Sequence, residues 1–204
     1  MSALPLQPLG PADEPHLSAF RRCVEALVHP VEEVDYAPLV ARLVVGRCAR
    51  GGTVLEAGQP CAHVYFVAEG LTRHLHRDRG EEGTVWFSGP GELMTEPTSF
   101  WGGQPSPSSI VALTDVVVLG LARPHLDELY ALSPVWERLG RRVSEHYLLA
   151  LSERTFQLQF RSARQRFEEL LRCRPGLFQQ VPLGHIASYL GMAPETLSRL
   201  RAEV

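Results

Sequence analysis

Between Gly51 and Leu121 the chain carries six short runs rich in Val, Leu, Phe and Thr, at 53–55, 64–67, 71–76, 84–88, 109–113 and 116–121, separated by turns bearing glycine or proline. Runs this short cannot bury a helical stripe, and tight turns between neighbours favour antiparallel pairing. The stretch therefore predicts an antiparallel sandwich or roll. DRGEEG at 78–83 reads as a hairpin connection, and Gly89-Pro90-Gly91 as a second turn.

What flanks this region is helical. From His16 the spacing of Phe20, Val24, Leu27 and Val28 follows one helix face, and Tyr36, Leu39, Val40 and Leu43 follow another. Residues 1–15, with prolines at 5, 8, 11 and 15, cannot sustain a helix ladder and are expected to form a mobile arm. Past the strands, 123–132 reads as a short helix. Ser133-Pro134 then supplies an N-cap and a first-turn proline for a helix running to about 160. On it Leu139, Val143, Tyr147, Ala150 and Leu151 are the expected dimerisation positions, near the three-to-four-residue spacing that pairs helices, with Glu153–Arg154 interrupting the stripe.

The segment 183–200, LGHIASYLGMAPETLSRL, places Ala187 where two helices approach, Gly191 four residues on at the turn, and Leu197 six further in the second helix. A helix-turn-helix needs that order, because a small residue admits close packing and glycine admits the turn. Ile186, Leu190 and Leu200 complete a buried face. Pro194 opens the second helix, so Glu195, Thr196, Ser198 and Arg199 project from its early turns and Arg201 from its end. Seven arginines against four acids between 161 and 204 give this end a basic balance, although the whole chain carries a net charge of −3. A plain helical hairpin packed on the rest of the chain is the competing reading.

The 204 residues, 45% of them hydrophobic, exceed what one small domain needs. The expected division is arm 1–15, a β-roll domain with flanking helices 16–132, dimerisation helix 133–160 and helix-turn-helix 161–204. No apolar run reaches the roughly 20 residues that cross a bilayer, and the start lacks the charge and apolar core of an export signal, so a cytoplasmic location is expected. Cys23, Cys48, Cys61 and Cys173 lie far apart, which disfavours a disulfide framework or a local metal cluster. No nucleophile elbow, phosphate loop or dinucleotide fingerprint supports catalysis, and no cofactor is expected.

Gly58-Gln-Pro-Cys-Ala-His-Val-Tyr-Phe-Val-Ala-Glu-Gly70, Gly91-Glu92-Leu93 and the helix Pro194-Glu195-Thr196-Leu197-Ser198-Arg199 together resemble the Crp/Fnr family of bacterial transcription regulators over about residues 40–204. The resemblance implies an α+β chain: an N-terminal antiparallel β-roll (jelly-roll-like) sensor domain, a long dimerisation helix and a C-terminal all-α helix-turn-helix. It implies double-stranded DNA, a second copy of the chain and RNA polymerase as partners. In that family a glutamate matching Glu92 contacts the ribose of a cyclic nucleotide, and an arginine near 106–108 neutralises its phosphate. Here those positions read Ser-Pro-Ser, and no Arg, Lys or His occurs from Gly80 to Ala122, so tight cyclic AMP binding is not expected. The chain resembles a short branch that lacks the wing found after the recognition helix in better-known members.

Tyr65, Trp86, Glu92, Phe100, Ser108 and Ser109 are the candidates for lining an effector pocket, with core packing the competing role for the aromatics. Two readings from other classes remain at this level. One is a β-roll that binds a ligand or a protein without binding DNA. The other is a cupin-like metal protein built on His74, His76 and Glu81, where strand alternation puts both imidazoles on one face.

Overall fold

The computed structural model describes residues 4–28 and 35–203. The predicted α+β architecture is the observed one: two antiparallel sheets, a 27-residue helix and a terminal group of short helices. Strands β1 (Leu6–Pro8), β2 (Leu43–Cys48), β9 (Val116–Ala122), β4 (His63–Glu69) and β7 (Leu93–Met94) form one sheet in that order. The other runs β3 (Thr53–Leu55), β8 (Ser109–Ala112), β5 (Thr72–Asp78), β6 (Glu81–Ser88). Alternating inward side chains of both sheets, among them Val54, Tyr65, Val67, Met94, Ile110, Ala112, Val116 and Val118, close the roll's interior.

The structure corrects two sequence expectations in the entry region. The proline-rich start is docked from Leu4 onward: Leu6–Pro8 pairs with Val44–Gly46, and Leu4 is buried in the core. Gly46 makes room for it, because a Cβ there would meet the Leu4 and Leu6 side chains. Asp13 fastens the next turn by accepting from the Gly10 amide and from Arg47. The Gly10 amide and the Arg47 guanidinium hold the Asp13 carboxyl below its usual range, against the cost of burying it. Residues 1–3 of the expected arm lie outside the described residues. Leu43, expected on a helix, opens strand β2, whose other strand partner is β9. The second entry helix is only α2 (Ala37–Val40), while α1 (Glu14–Val28) buries Leu17, Phe20 and Val24 on the outer face of the first sheet.

After the roll, α4 (Arg123–Leu132) leads into α5 (Pro134–Phe160), whose N-cap Ser133 accepts from the Val135 amide at 3.3 Å. Then follow α6 (Ala163–Cys173), α7 (Leu177–Gln180), α8 (Leu183–Leu190) and α9 (Pro194–Ala202). A helix α3 (Pro97–Phe100) interrupts the roll after β7, capped by the Glu96 carboxylate on the Ser99 amide. No helix among the described residues is long and apolar enough to cross a membrane.

Candidate DNA-binding surface and effector pocket

Helices α8 and α9 meet as the spacing predicts. Ala187 is fully buried at their contact, Ile186, Leu190, Leu197 and Leu200 fill the core beneath, and Gly191 takes the left-handed conformation, with φ 62° and ψ 46°. The Met192 amide donates back to the Ala187 carbonyl at 3.0 Å and closes the turn. Two guanidiniums then hold the end of α8. Arg166 donates to the carbonyls of Leu190 and Gly191, and Arg154, on α5, donates to that of Tyr189 while stacking on its ring at 4.0 Å. Cations at a helix C-terminus oppose its negative dipole end, so both contacts favour this orientation.

With Leu197 and Leu200 turned inward, Glu195, Ser198, Arg199 and Arg201 are exposed and Thr196 is half-buried, so the five expected positions lie on the solvent side of α9. The basic balance of this region has less free charge than the count suggests. Arg164 pairs with Glu203, Arg172 with Glu169 and Arg174 with Glu92, and Arg166 is spent on carbonyls. Arg161, Arg199 and Arg201 make no ion pair among the described residues.

The helices α6 to α9 are not suspended on a linker. They pack on the second sheet through Leu71 and Phe87, which share a core with Phe167, Leu170, Ile186 and Leu197. Ser188 accepts from the Thr84 amide at 2.9 Å, and Arg174 donates to Phe87 at 3.0 Å while pairing with Glu92 at 3.1 Å. Tyr189 packs its ring against Phe87 and, edge-on, against Trp86, with centroids 5.3 and 6.3 Å away. Sequence reasoning missed Arg154, Arg166, Arg174 and Tyr189; no local pattern marks a residue that acts across domains.

The expected effector residues fall in two places. Tyr65 and Phe100 belong to the roll's own core, and burial pushes the Tyr65 hydroxyl far above its usual range. Ser108 and Ser109 are buried as well, and the neighbouring hydroxyls engage the backbone: Ser106 donates to the Ser108 carbonyl, and Ser109 accepts from the Ala57 amide. Trp86 and Glu92 instead line a groove outside the roll, between α1 and α5. Inside the roll His74 is 7% exposed, its Nε2 has no partner, and desolvation lowers its pKa to about 4. His76 lies at an exposed edge, its Nδ1 2.6 Å from the Pro107 carbonyl, and Glu81 sits at the hairpin tip opposite Asp78. Among the described residues no three potential ligands gather as a metal would need.

The expected dimer face requires correction. Leu139 packs into the core beneath α4, Val143 is 9% exposed, and Tyr147 donates to the Leu93 carbonyl at 3.0 Å and meets Trp101 edge-on. With Ala150, these residues form the stripe that α5 lays on its own roll. Of the five, Leu151 alone is exposed, one turn on from Tyr147 at the flank of that stripe, and Leu148, Leu149, Phe156, Leu158 and Phe160 of the same helix are exposed as well. Spacing could not separate the buried positions from the exposed ones, because both repeat with the helix.

Known proteins share this architecture. Residues 46–133 match the cyclic nucleotide-binding domain family. FixK2 from Bradyrhizobium japonicum is 18% identical, over 79% of this chain and 83% of its own, with a TM-score of 0.67. CLP, a c-di-GMP responsive global regulator from Xanthomonas campestris, is 19% identical over 81% and 88%, with a TM-score of 0.64. The catabolite activator protein of Thermus thermophilus is 24% identical over 87% and 85%, with a TM-score of 0.54. Compared with curated protein sequences, the chain has no match. Residues 46–133 are therefore similar to a cyclic nucleotide-binding domain, and the chain shares the fold of the Crp/Fnr regulators.

Proposed function

We propose that the protein is a dimeric, non-enzymatic transcription regulator that reads a palindromic operator with α9. The observation that carries this is the arrangement at α9: Leu197 and Leu200 buried, Gly191 turning, and a polar face with Arg199 and Arg201 left open. Arg199 suits a bidentate contact to guanine, Glu195 the amino group of cytosine, and Thr196, Ser198 and Arg201 phosphates or adjacent base edges. Selection of bound DNA from a random library, at stated salt, tests the reading; an enriched palindrome supports it, and its absence overturns it. Arg199→Ala is expected to cost about 1–3 kcal/mol and to relax choice at one base pair, whereas Arg201→Ala weakens all sequences alike. Competition binding on operators varied base by base separates the two.

The exposed stripe of Leu148, Leu151 and Leu158 supports pairing of α5 with its copy, at 68%, 47% and 44% exposure respectively. Replacing Leu148 and Leu151 by aspartate is expected to yield a monomer by sedimentation at micromolar concentration, with the melting temperature changed by less than about 3 °C, since neither supports the roll. A melting temperature that collapses with the dimer would assign these leucines to the fold instead.

Cyclic AMP is not the effector in this reading. Arg73, the one buried arginine of the roll, lies against α8 beside His185, and its donors go to Thr84 and Glu82. Arg123 spends its donors on Asp127 and the Phe100 carbonyl. Among the described residues, neither of these arginines is left free to meet a cyclic phosphate inside the roll. Calorimetry is expected to show no submillimolar binding of cyclic AMP or cyclic GMP. RNA polymerase as a partner and a cytoplasmic location follow from the same reading.

A further inference from the structure

The groove outside the roll has two helical walls and a floor of different chemistry. One stripe of α1, Ala19, Arg22, Cys23, Ala26 and Leu27, faces His146, Tyr147 and Ala150 of α5 across Phe66, Leu93 and Trp86. Alanines at 19, 26 and 150 leave the space, aromatic side chains supply apolar surface, and Arg22 and His146 place hydrogen-bond donors on the rim. Arg22 makes no ion pair among the described residues, and the groove's one carboxylate, Glu92, is neutralised by Arg174 at 3.1 Å. Among the described residues, the chemistry left open is apolar depth beside a guanidinium with no ion pair.

We infer that this groove, rather than the interior of the roll, is the effector site, and that it takes a small aromatic carboxylate, ring against Phe66, Leu93 and Trp86 and carboxylate on Arg22. An uncharged ring would leave the guanidinium unused, and a cation would meet Arg22 with like charge. Trp86 and Glu92 belong to the groove and also hold the helix-turn-helix, through Tyr189 and Arg174. Occupancy therefore changes the setting of α8, and DNA must change carboxylate affinity by the same factor. This coupling rests on the DNA-binding reading; the carboxylate site itself does not.

Calorimetry on the full-length protein with 2-naphthoate tests the site. Saturable binding is expected, with the isosteric naphthalene-2-carboxamide and Arg22→Gln each weakening it by about tenfold or more. Ala26→Phe, which fills the groove and keeps the Arg22 charge, is expected to abolish it. Thermal melts report whether either variant has lost its fold, and binding by the wild type stands independently of both. No saturable binding at millimolar naphthoate, or equal binding by Arg22→Gln, overturns the inference. Binding confined to the Leu148→Asp, Leu151→Asp monomer also overturns it, by showing that a second copy of the chain fills the groove. Naphthoate that binds while the selected DNA leaves its affinity unchanged overturns the coupling. Failure to select any DNA with naphthoate still bound condemns the DNA reading alone.

Discussion

Gly70→Ala is expected to lower the melting temperature by roughly 10 °C, a loss of about 2–5 kcal/mol in a chain of this size. Gly70 joins β4 to β5 with φ at +82°, where an L side chain costs about 1–2 kcal/mol. An added Cβ there would also fall inside contact distance of the Asp115 carbonyl, which is backbone and has no rotamer to yield. Overpacking against such a wall adds about 1–3 kcal/mol. Gly80→Ala is the control, because Gly80 has a similar φ of +87° but open space around it. Calorimetric scans should show a loss at position 70 at least twice that at 80. Equal losses would mean that backbone conformation alone accounts for the effect and that the Asp115 approach is irrelevant.

The second large effect concerns acid. His74 is buried, unpartnered at Nε2 and held neutral down to about pH 4, whereas an unfolded histidine takes its proton near 6.5. Between those values the unfolded state binds more protons, so stability is fully present above about 6.5 and falls as pH drops toward 4. The slope approaches about 1.4 kcal/mol per pH unit and the total about 3 kcal/mol. Urea melts of the wild type and His74→Leu, taken at half-unit steps from pH 7.5 to 4, should keep a constant offset above about pH 6.5 and change it on acidification, with the variant the flatter curve. Parallel curves would show that His74 is protonated in the native state or reaches water.

The sequence makes the roll legible wherever one face of a strand is buried and its ends are marked by turns. It hides β2, because Val44 and Val45 adjoin the helical pattern that begins at Tyr36, and Gly46 reads as a breaker until Leu4 and Leu6 pack on it. The meeting of α8 and α9 is visible because Ala187, Gly191 and Leu197 are required by local geometry. Which stripe of α5 faces inward is decided by distant residues, Leu93 and Trp101 among them, and no spacing along α5 encodes that choice. The same holds for Trp86 and Glu92, whose neighbours on α1, α5 and α8 lie far away in sequence.

The four free margins of the two sheets are each blunted against strand-to-strand association. β1 carries Pro8, β7 is two residues long, β3 is three residues long with an irregular register, and β6 lies under α8, its Thr84 amide satisfied by Ser188. The first three protections are local. The fourth is supplied by the C-terminal domain, so a fragment ending near residue 160 would bare an eight-residue strand together with the apolar side chains of Leu71 and Phe87. The terminal helices thereby act as an intramolecular cover for the edge of the second sheet, and a roll separated from them is expected to need another cover in their place.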